Sequence, residues 1–573
     1  MRNQDVADLL ERMGTLLEIK GELIFKYRAY HKAAENIRNL VEDIETVKNE
    51  ERLSTIPGIG KTLEEKIIQY LDTGKMAAYE QLIQGIPESL LDVVQIPSIG
   101  PKKAKMFYEQ LKIKDPEGLR EAALAGKLAG LPGIKEKTIE NILKGIKIAE
   151  EGRERMNLGE ASRIAEEFCA ALENMPEVKK ISLAGSLRRG CETVGDIDIL
   201  IHSVSPKKVM DAFVKLPQVE SINAHGETKS SVLTRGNVQV DVRVVEAGQF
   251  GAAMLYFTGS KSFNIKLRQI ALHKGMKVNE YGIFSTVGKT EKKLAAKTEE
   301  DCFKALGLPY IPPELREEIG QHELFPNRPL PVLVEQKDIQ GDLHVHSTWS
   351  DGKNTIAELA EAARQRGYGY LAVSDHSPRL RIARGVSVQD LTKKKKEIDV
   401  LNARLKNFRI LFSTEVEIDS NGDLDYNNTA LQEFDIVIAA VHSGFGQTKE
   451  QLTKRLVKAC QNQYVNIIAH PMGIHLGKRG AYDIDFKEIC RAAVDHNVSL
   501  EINAFPVRLD LNSANVYFAK GQGVTFAVNS DAHRIDHMDF MKFGVTIARR
   551  GWLGKKDILN TSTLPQLLKA IRK

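Results

Sequence analysis

The sequence predicts a multidomain chain with three architectures in series: an all-helical N-terminal region, a mixed α+β middle and a C-terminal α/β barrel. Three observations carry that expectation. A short glycine-containing loop recurs three times among helical patterns in the first 150 residues. From about residue 181 the apolar period shortens to two, the spacing of strands. After residue 338, short apolar runs alternate with longer helical stretches, the signature of a parallel β/α architecture. The length, 573 residues, by itself implies roughly three to five domains.

Composition excludes several classes. Hydrophobic residues make up 42% and charged residues 27%, a globular balance and not a disordered or fibrous one. The longest apolar stretches, such as Ile436 to Val441, fall far short of the about 20 residues of a spanning helix. Met1 leads into a charged helical pattern without an apolar signal region, so no export is expected. Cys169, Cys191, Cys302, Cys460 and Cys490 are scattered and never form CxxC, which argues for a reducing cytoplasm and against a disulfide framework or zinc finger. The net charge of +5, from 81 basic and 76 acidic residues, is too small to establish a nucleic-acid partner. Residues 1–150 hold 23 Lys and Arg against 24 Asp and Glu, so DNA must be argued from motifs. The run Lys393–Lys396 reads as one solvated helix face. Nine of the fourteen histidines follow residue 340, which places chemistry there.

In the helical region, Val6, Leu9, Leu10, Met13 and Leu17 recur at helical spacing. The repeated loop reads Ile56-Pro57-Gly58-Ile59-Gly60, then Ile96-Pro97-Ser98-Ile99-Gly100, then Leu131-Pro132-Gly133-Ile134-Lys135, each followed by a Lys-rich helix. Repetition at this period indicates a duplicated helical unit. A glycine loop permits positive φ and close backbone approach, and N–H groups at the next helix start can hold a phosphate. A turn needing glycine for geometry alone explains one copy as well; recurrence favours phosphate binding at Gly58, Gly60 and Gly100. Lys135 replaces the last glycine of the third copy, which leaves that copy unassigned. These loops resemble helix-hairpin-helix motifs, which bind DNA backbone without reading sequence. The resemblance implies K⁺ or Na⁺ at the carbonyls of Ser54, Ile56 and Ile59.

In the middle, Ile181–Leu183, Ile197–Ile201 and Val238–Val245 read as strands. Asp196 and Asp198 then project from one face while Ile197, Ile199 and Ile201 face a core. Asp241, between Val240 and Val242, points to the polar face of its own strand. Carboxylates on neighbouring strands can clamp two hard cations, Mg²⁺ or Mn²⁺, for phosphoryl transfer. Upstream, Gly185-Ser186 offers donors and Arg189 a charge partner for a triphosphate. A DxD pair alone often merely ends a strand; Gly-Ser and Arg-Arg-Gly upstream of Gly195 weigh against that here.

These residues resemble the nucleotidyltransferases of DNA polymerase family X, over about residues 1–315. The resemblance implies a lyase-like helical module at 1–80, hairpin-bearing fingers at 81–150, a palm at 151–245 and a thumb at 246–315 that closes on Leu308–Arg316. It implies nucleotide contacts from Gly185, Ser186, Arg189, Gly195, Tyr256, Phe257, Gly259, Asn264 and Arg268. On their own, Tyr256 and Phe257 would read as core aromatics. Lys26, Tyr30 and Lys66 match the lyase module, with Lys66 at the Schiff-base position; a solvated helix lysine is the other reading of Lys66.

Residues 316–337, with Pro326, Asn327, Pro329 and Pro331, read as a linker. Beyond it, six apolar runs each lead to ligand-type residues. The first carries His344 and His346 on one face, followed by Asp351; the others lead to Asp375-His376, Glu415, His442, His470, and Asp531 with His533. Catalytic groups of a β/α barrel gather at the C-terminal strand ends. Imidazoles and carboxylates without cysteine suit Mn²⁺, Zn²⁺, Fe²⁺ or Mg²⁺, and nine ligands imply two or three ions. His475, His496 and His537 are left out, and Asp375 is read as orienting its neighbouring histidine. The pattern resembles the PHP (polymerase and histidinol phosphatase) domain, whose nine ligand positions it matches at His344, His346, Asp351, His376, Glu415, His442, His470, Asp531 and His533. Phe505 stands where that family usually has Asn.

A family X core joined to a distorted (β/α) PHP barrel at 338–573 implies a DNA-directed DNA polymerase that fills short gaps in base excision repair. The barrel implies a 3′–5′ exonuclease with Mn²⁺ or Zn²⁺ and AP-endonuclease activity, and the helical module implies lyase activity. Substrates would be gapped or primed DNA and dNTPs, for a monomer in a bacterial or archaeal cytoplasm. Two other readings stand beside it: a phosphoesterase acting on a small phosphorylated substrate, and a non-catalytic DNA-binding scaffold.

Overall fold

A computed structural model describes residues 2–38, 40, 43–96, 99–135, 138–139, 142–143, 146, 155–287, 291–320, 325, 329–476 and 479–571. The chain divides into two compact units, Met1–Glu154 and Arg155–Lys573. No helix among the described residues is long and apolar enough to cross a membrane, and all five cysteines are free.

The first unit is helical throughout its described residues, from Asn3–Lys20 to Pro116–Leu124. Val6, Leu10, Met13 and Leu17 are buried, and Leu9 packs at the edge of the same core. The three loops share one logic. Their flanking apolar residues, Ile56 and Ile59, Ile96 and Ile99, Leu131 and Ile134, are buried, while Gly58 and Gly133 stay exposed at φ +89° and +76°. Only glycine adopts that backbone without a steric cost of roughly 1–2 kcal/mol. Gly60 and Gly100 then cap the helices Lys61–Thr73 and Pro101–Leu111. Pro97 and Ser98 of the second loop lie outside the described residues.

In the second unit, β1 (Val178–Leu183), β2 (Asp196–Ser203), β3 (Val219–His225), β4 (Lys229–Thr234) and β5 (Gln239–Val245) form one sheet in the order β1-β2-β5-β4-β3. β2 and β5 run parallel, and β1–β2, β4–β5 and β3–β4 antiparallel. Ile197, Ile199 and Ile201 bury one face against Phe168 and Phe213, each fully buried side chain contributing about 1.5–3 kcal/mol. The opposite face of β2 packs Leu200 under Phe250, Ala253 and Met254 of the helix Phe250–Thr258. The alternation therefore leaves Asp196 and Asp198 on the face beside that helix.

Seven parallel strands follow in sequential order: β6 (Gly341–Val345), β7 (Tyr370–Val373), β8 (Arg409–Glu417), β9 (Ile436–Ala440), β10 (Ile467–Ile468), β11 (Ser499–Asn503) and β12 (Phe526–Asn529). A parallel bridge between Val345 and Ala532 joins the first to the last, so the sheet curls into a near-closed barrel. Leu343, Tyr370, Leu411, Ile436, Ile438 and Ile467 fill its interior.

Two sequence expectations are corrected. Residues 316–337 are not a free linker at either end. Arg316 is fully buried and donates to Glu299 (2.6 Å) and to the Ile311 carbonyl (2.9 Å), and Val334 N–H donates to the Leu553 carbonyl (3.0 Å). Charged composition does not distinguish paired from solvated groups; Pro326 and Asn327 lie outside the described residues. Nor is Lys393–Lys396 one solvated face. Lys394, 1% exposed, sends its ammonium inward to Asp375 (2.9 Å) and to the carbonyls of Val373 and Ser413.

Candidate active sites

The barrel brings all nine ligand-type residues of the sequence reading to one end. Glu415, on β8, is central: His470 Nε2 lies 3.0 Å and His442 Nε2 3.2 Å from its Oε1, with His376 Nδ1 at 2.8 Å and His344 Nε2 at 3.3 Å from its Oε2. His346 Nε2 lies 3.2 Å from Asp531 Oδ1, and His533 Nε2 3.5 Å from Asp351. Three overlapping groups have all their ligand atoms within 4.8 Å of one another: His346, Asp351, His376 and His533; His344, His346 and Asp531; His376, Glu415 and His442. His470 joins them through Glu415. His470 and Asp531 hold left-handed backbone, at φ +28° and +54°, strain that surrounding structure must over-determine.

The donor set fits divalent cations. His344 Nε2, both ring nitrogens of His346, His376 Nδ1 and Glu415 Oε2 are buried and make no hydrogen bond, although buried polar atoms are almost always paired. Burial opposes the charge on Glu415, but His442, His376 and His344 pull its pKa well below the usual range. His346 is pushed down to about 4 by burial and by His533 and His376, which leaves it neutral, the form that ligates metal. Two carboxylates orient the rings. His344 Nδ1 donates to Glu501 (2.7 Å) and His442 Nδ1 donates to Glu417 (2.7 Å), which turns each Nε2 toward the cluster. Glu501 also accepts from the His470 N–H (2.9 Å) and from Asn529 and Asn503.

In the five-stranded sheet, Asp198 of β2 lies directly opposite Asp241 of β5 in parallel register. Burial, then Asp196 and Asp241, push Asp198 up to about 7. A Cβ on Gly185 would fall 2.2 Å from Asp198 Oδ2, and Gly185 has φ +61°; no other residue fits there. A cavity of about 210 Å³ beside the carboxylates is lined by Asp198, Asp241, Lys229, Arg243 and Phe257. Arg243 stacks over Phe257 (4.4 Å), which meets Tyr256 edge-on (5.1 Å). Asn264 donates to the Tyr256 carbonyl (2.7 Å), and Arg268 follows one turn later on the same helix, Lys261–His273. Gly195 immediately precedes β2. Arg189, expected to offer its charge to a phosphate, is engaged by Glu317 (2.6 Å) and the Thr258 carbonyl (2.6 Å), beside Gly259. Asp196, Asp198 and Asp241 do not reach the 4.8 Å spacing; among the described residues, every such group of three or more belongs to the barrel. In the helical unit, Lys66 Nζ donates to the Tyr30 hydroxyl (2.7 Å), and Lys26 pairs with Glu22 (3.0 Å).

Comparison with known proteins agrees with this geometry. Family profiles match a helix-hairpin-helix domain at residues 1–76, a SAM-like helix-hairpin-helix tandem at 90–147, a DNA polymerase beta thumb at 253–317 and a PHP domain at 342–504. The DNA polymerase/3′-5′ exonuclease PolX of Bacillus subtilis (strain 168) is 41% identical over 566 residues, 98% of each chain. The chain belongs to the PolX family. DNA polymerase lambda of Rattus norvegicus is 26% identical over 346 residues, covering 55% of this chain and 56% of its own. A probable phosphatase of Thermoanaerobacter sp. (strain X514) is 29% identical over 232 residues, 38% of this chain and 89% of its own.

Within this PolX architecture Asp375 stays outside the ligand groups, as its sequence context implies, but supports a loop and not a ring. Asp375 is not hydrogen-bonded to the ring of its neighbour His376, although, against burial, Lys394 and the charge of His346 help hold its carboxyl low. It accepts from Ser347 N–H and Oγ (both 2.8 Å) and from Ser350 Oγ (2.7 Å), and so shapes the loop between His346 and Asp351. Glu417 was missed although it shares a strand face with Glu415, a two-residue spacing that could have pointed to it. Arg243 was missed although it follows Asp241 on the same face. Glu317 carried no local signal.

Proposed function

We propose that this chain is a DNA-directed DNA polymerase that fills short gaps during repair and resects 3′ ends in its barrel. One observation carries the reading: a carboxylate pair on adjacent parallel strands and a nine-residue histidine–carboxylate cluster occur in one compact unit. The end-to-end likeness to PolX supports assigning the first to synthesis and the second to hydrolysis. The division of labour follows the motifs: lyase-like module 1–80, fingers 81–150, palm 151–245, thumb 246–315, PHP domain 338–573. In the palm, Asp196, Asp198 and Asp241 would hold two Mg²⁺ or Mn²⁺, which stabilise charge on attacking and leaving oxygens when bound. The chain's own part is positional. Gly185 admits Asp198; Ser186 and the guanidinium N–H groups of Arg189 not taken by Glu317 and Thr258 would present donors to phosphate, and Tyr256, Phe257, Asn264 and Arg268 would wall the nucleotide.

In the barrel, the nine ligands would hold two or three Mn²⁺ or Zn²⁺, while Glu501 and Glu417 fix the imidazoles. The hairpins at Gly58, Gly60 and Gly100 would hold DNA phosphates, so affinity falls with salt and ignores sequence. K⁺ or Na⁺ on the hairpin carbonyls, Lys66 lyase chemistry, AP-endonuclease activity, a monomeric state and a cytoplasmic setting rest on the family resemblance. The test is extension of a primer across a one-nucleotide gap with Mg²⁺ or Mn²⁺, with 3′ resection measured on the same preparation. Hydrolysis of small phosphate monoesters without either DNA activity would overturn the reading in favour of a phosphoesterase.

A further inference from the structure

The turn that carries Gly185, Ser186 and Arg189 is held by the barrel half of the molecule. Gly190, at φ +67°, presses on the helix Met541–Arg550, where a Cβ would fall 2.0 Å from Thr546 Cγ2. Arg550, 6% exposed, donates through Nη1 to the Arg189 carbonyl (2.9 Å), at the end of the short helix Gly185–Arg188. The same nitrogen reaches Glu317 (3.3 Å), whose Oε1 also takes the Arg189 side chain (2.6 Å). Arg550 Nη2 lies 3.5 Å from Glu192, and Glu192 accepts from the Ser513 N–H (2.7 Å), again in the barrel half. One buried arginine thus touches the backbone of Arg189, the carboxylate that orients the Arg189 side chain, and the residue that ends the turn.

We propose that Arg550 is a positioning residue for nucleotide binding in the palm, so that the polymerase site is completed by the barrel half. A guanidinium offers several donors in a fixed fork, and a site 1 Å out of place loses much of its effect. Arg550 touches none of the nine barrel ligands, so the effect should be confined to synthesis. The proposal rests on the assignment of Arg189 to the nucleotide.

The test is steady-state gap filling by full-length Arg550→Met, beside Arg550→Lys, Arg189→Ala and the unmodified protein, with resection measured on each preparation. We expect Arg550→Met to raise the KM for the incoming dNTP about tenfold with a smaller fall in kcat. Resection should be unchanged, and Arg550→Lys, which keeps the charge, should restore part of the KM. A KM equal to that of the unmodified protein in a resecting Arg550→Met overturns the proposal. So does joint loss of both activities in Arg550→Met with an unchanged KM in Arg550→Lys, which marks a purely structural residue. Arg189→Ala separates the two ways of failing. An unchanged KM there removes the nucleotide turn and the proposal with it. A raised KM there, with an unchanged KM in Arg550→Met, overturns only the role of Arg550.

Discussion

On the proposed palm assignment synthesis should turn on Asp198, which is half-buried, faces Asp241 in register and is pushed up to about 7 by desolvation and its acidic neighbours. Such a carboxylate is costly to ionise alone and gains most from a cation. Asp198→Ala is expected to lower the kcat of gap filling by about 10²–10³-fold, the scale of losing one preorganised electrostatic partner, while resection persists. Extension by Asp198→Ala at the unmodified rate would refute the palm assignment. In the barrel, Glu501 holds His344 Nδ1 and the His470 backbone at once. Glu501→Gln keeps the shape but removes the charge, and should cut metal affinity or hydrolysis about 10–100-fold. Calorimetric metal titration beside a resection assay checks this, and unaltered metal binding would refute the orienting role.

At the scale of elements, the helix Val388–Asn402 does two things. It covers β7 and β8, and it delivers Lys394 to Asp375, which in turn ties Ser347 and Ser350 of the loop bearing His346 and Asp351. Removing one partner of a buried pair strands the other charge, at a cost of about 3–5 kcal/mol. Lys394→Met should therefore destabilise the barrel by that order in chemical denaturation. The double variant Lys394→Met/Asp375→Asn should regain part of it, since no lone charge remains. Equal midpoints for Lys394→Met and the unmodified protein would show that the pair contributes nothing.

For the whole molecule, the residues proposed for the two chemistries are disjoint although residues 155–573 form one compact unit. His344→Ala/His346→Ala removes two of the proposed ligands, at the end of the first barrel strand, and should abolish resection with loss of bound metal, measured by elemental analysis. Gap filling should survive, because the contacts between the five-stranded sheet's surroundings and the barrel half, through Arg550, Arg549, Ser513 and Lys542, use none of the nine residues. Resection that persists after the metal is confirmed lost would place the nuclease elsewhere.

Local spacing alone determined much of this protein. Alternation in Asp196-Ile197-Asp198 and His344-Val345-His346 set which side chains share a face, because a strand has a period of two whatever surrounds it. Glycine at the repeated loops and ligand residues at six strand ends were legible for the same reason: each is a rule about neighbours in the chain. What tertiary structure decided are the pairings across it. Lys394 read as solvated and the segment around Arg316 read as a linker, because burial depends on partners that composition does not name. His344 and Glu501 lie 157 positions apart, and Arg189 and Arg550 lie 361 apart. Only the closing of the barrel and its packing against the five-stranded sheet bring such groups within hydrogen-bond reach, and no periodicity spans that distance.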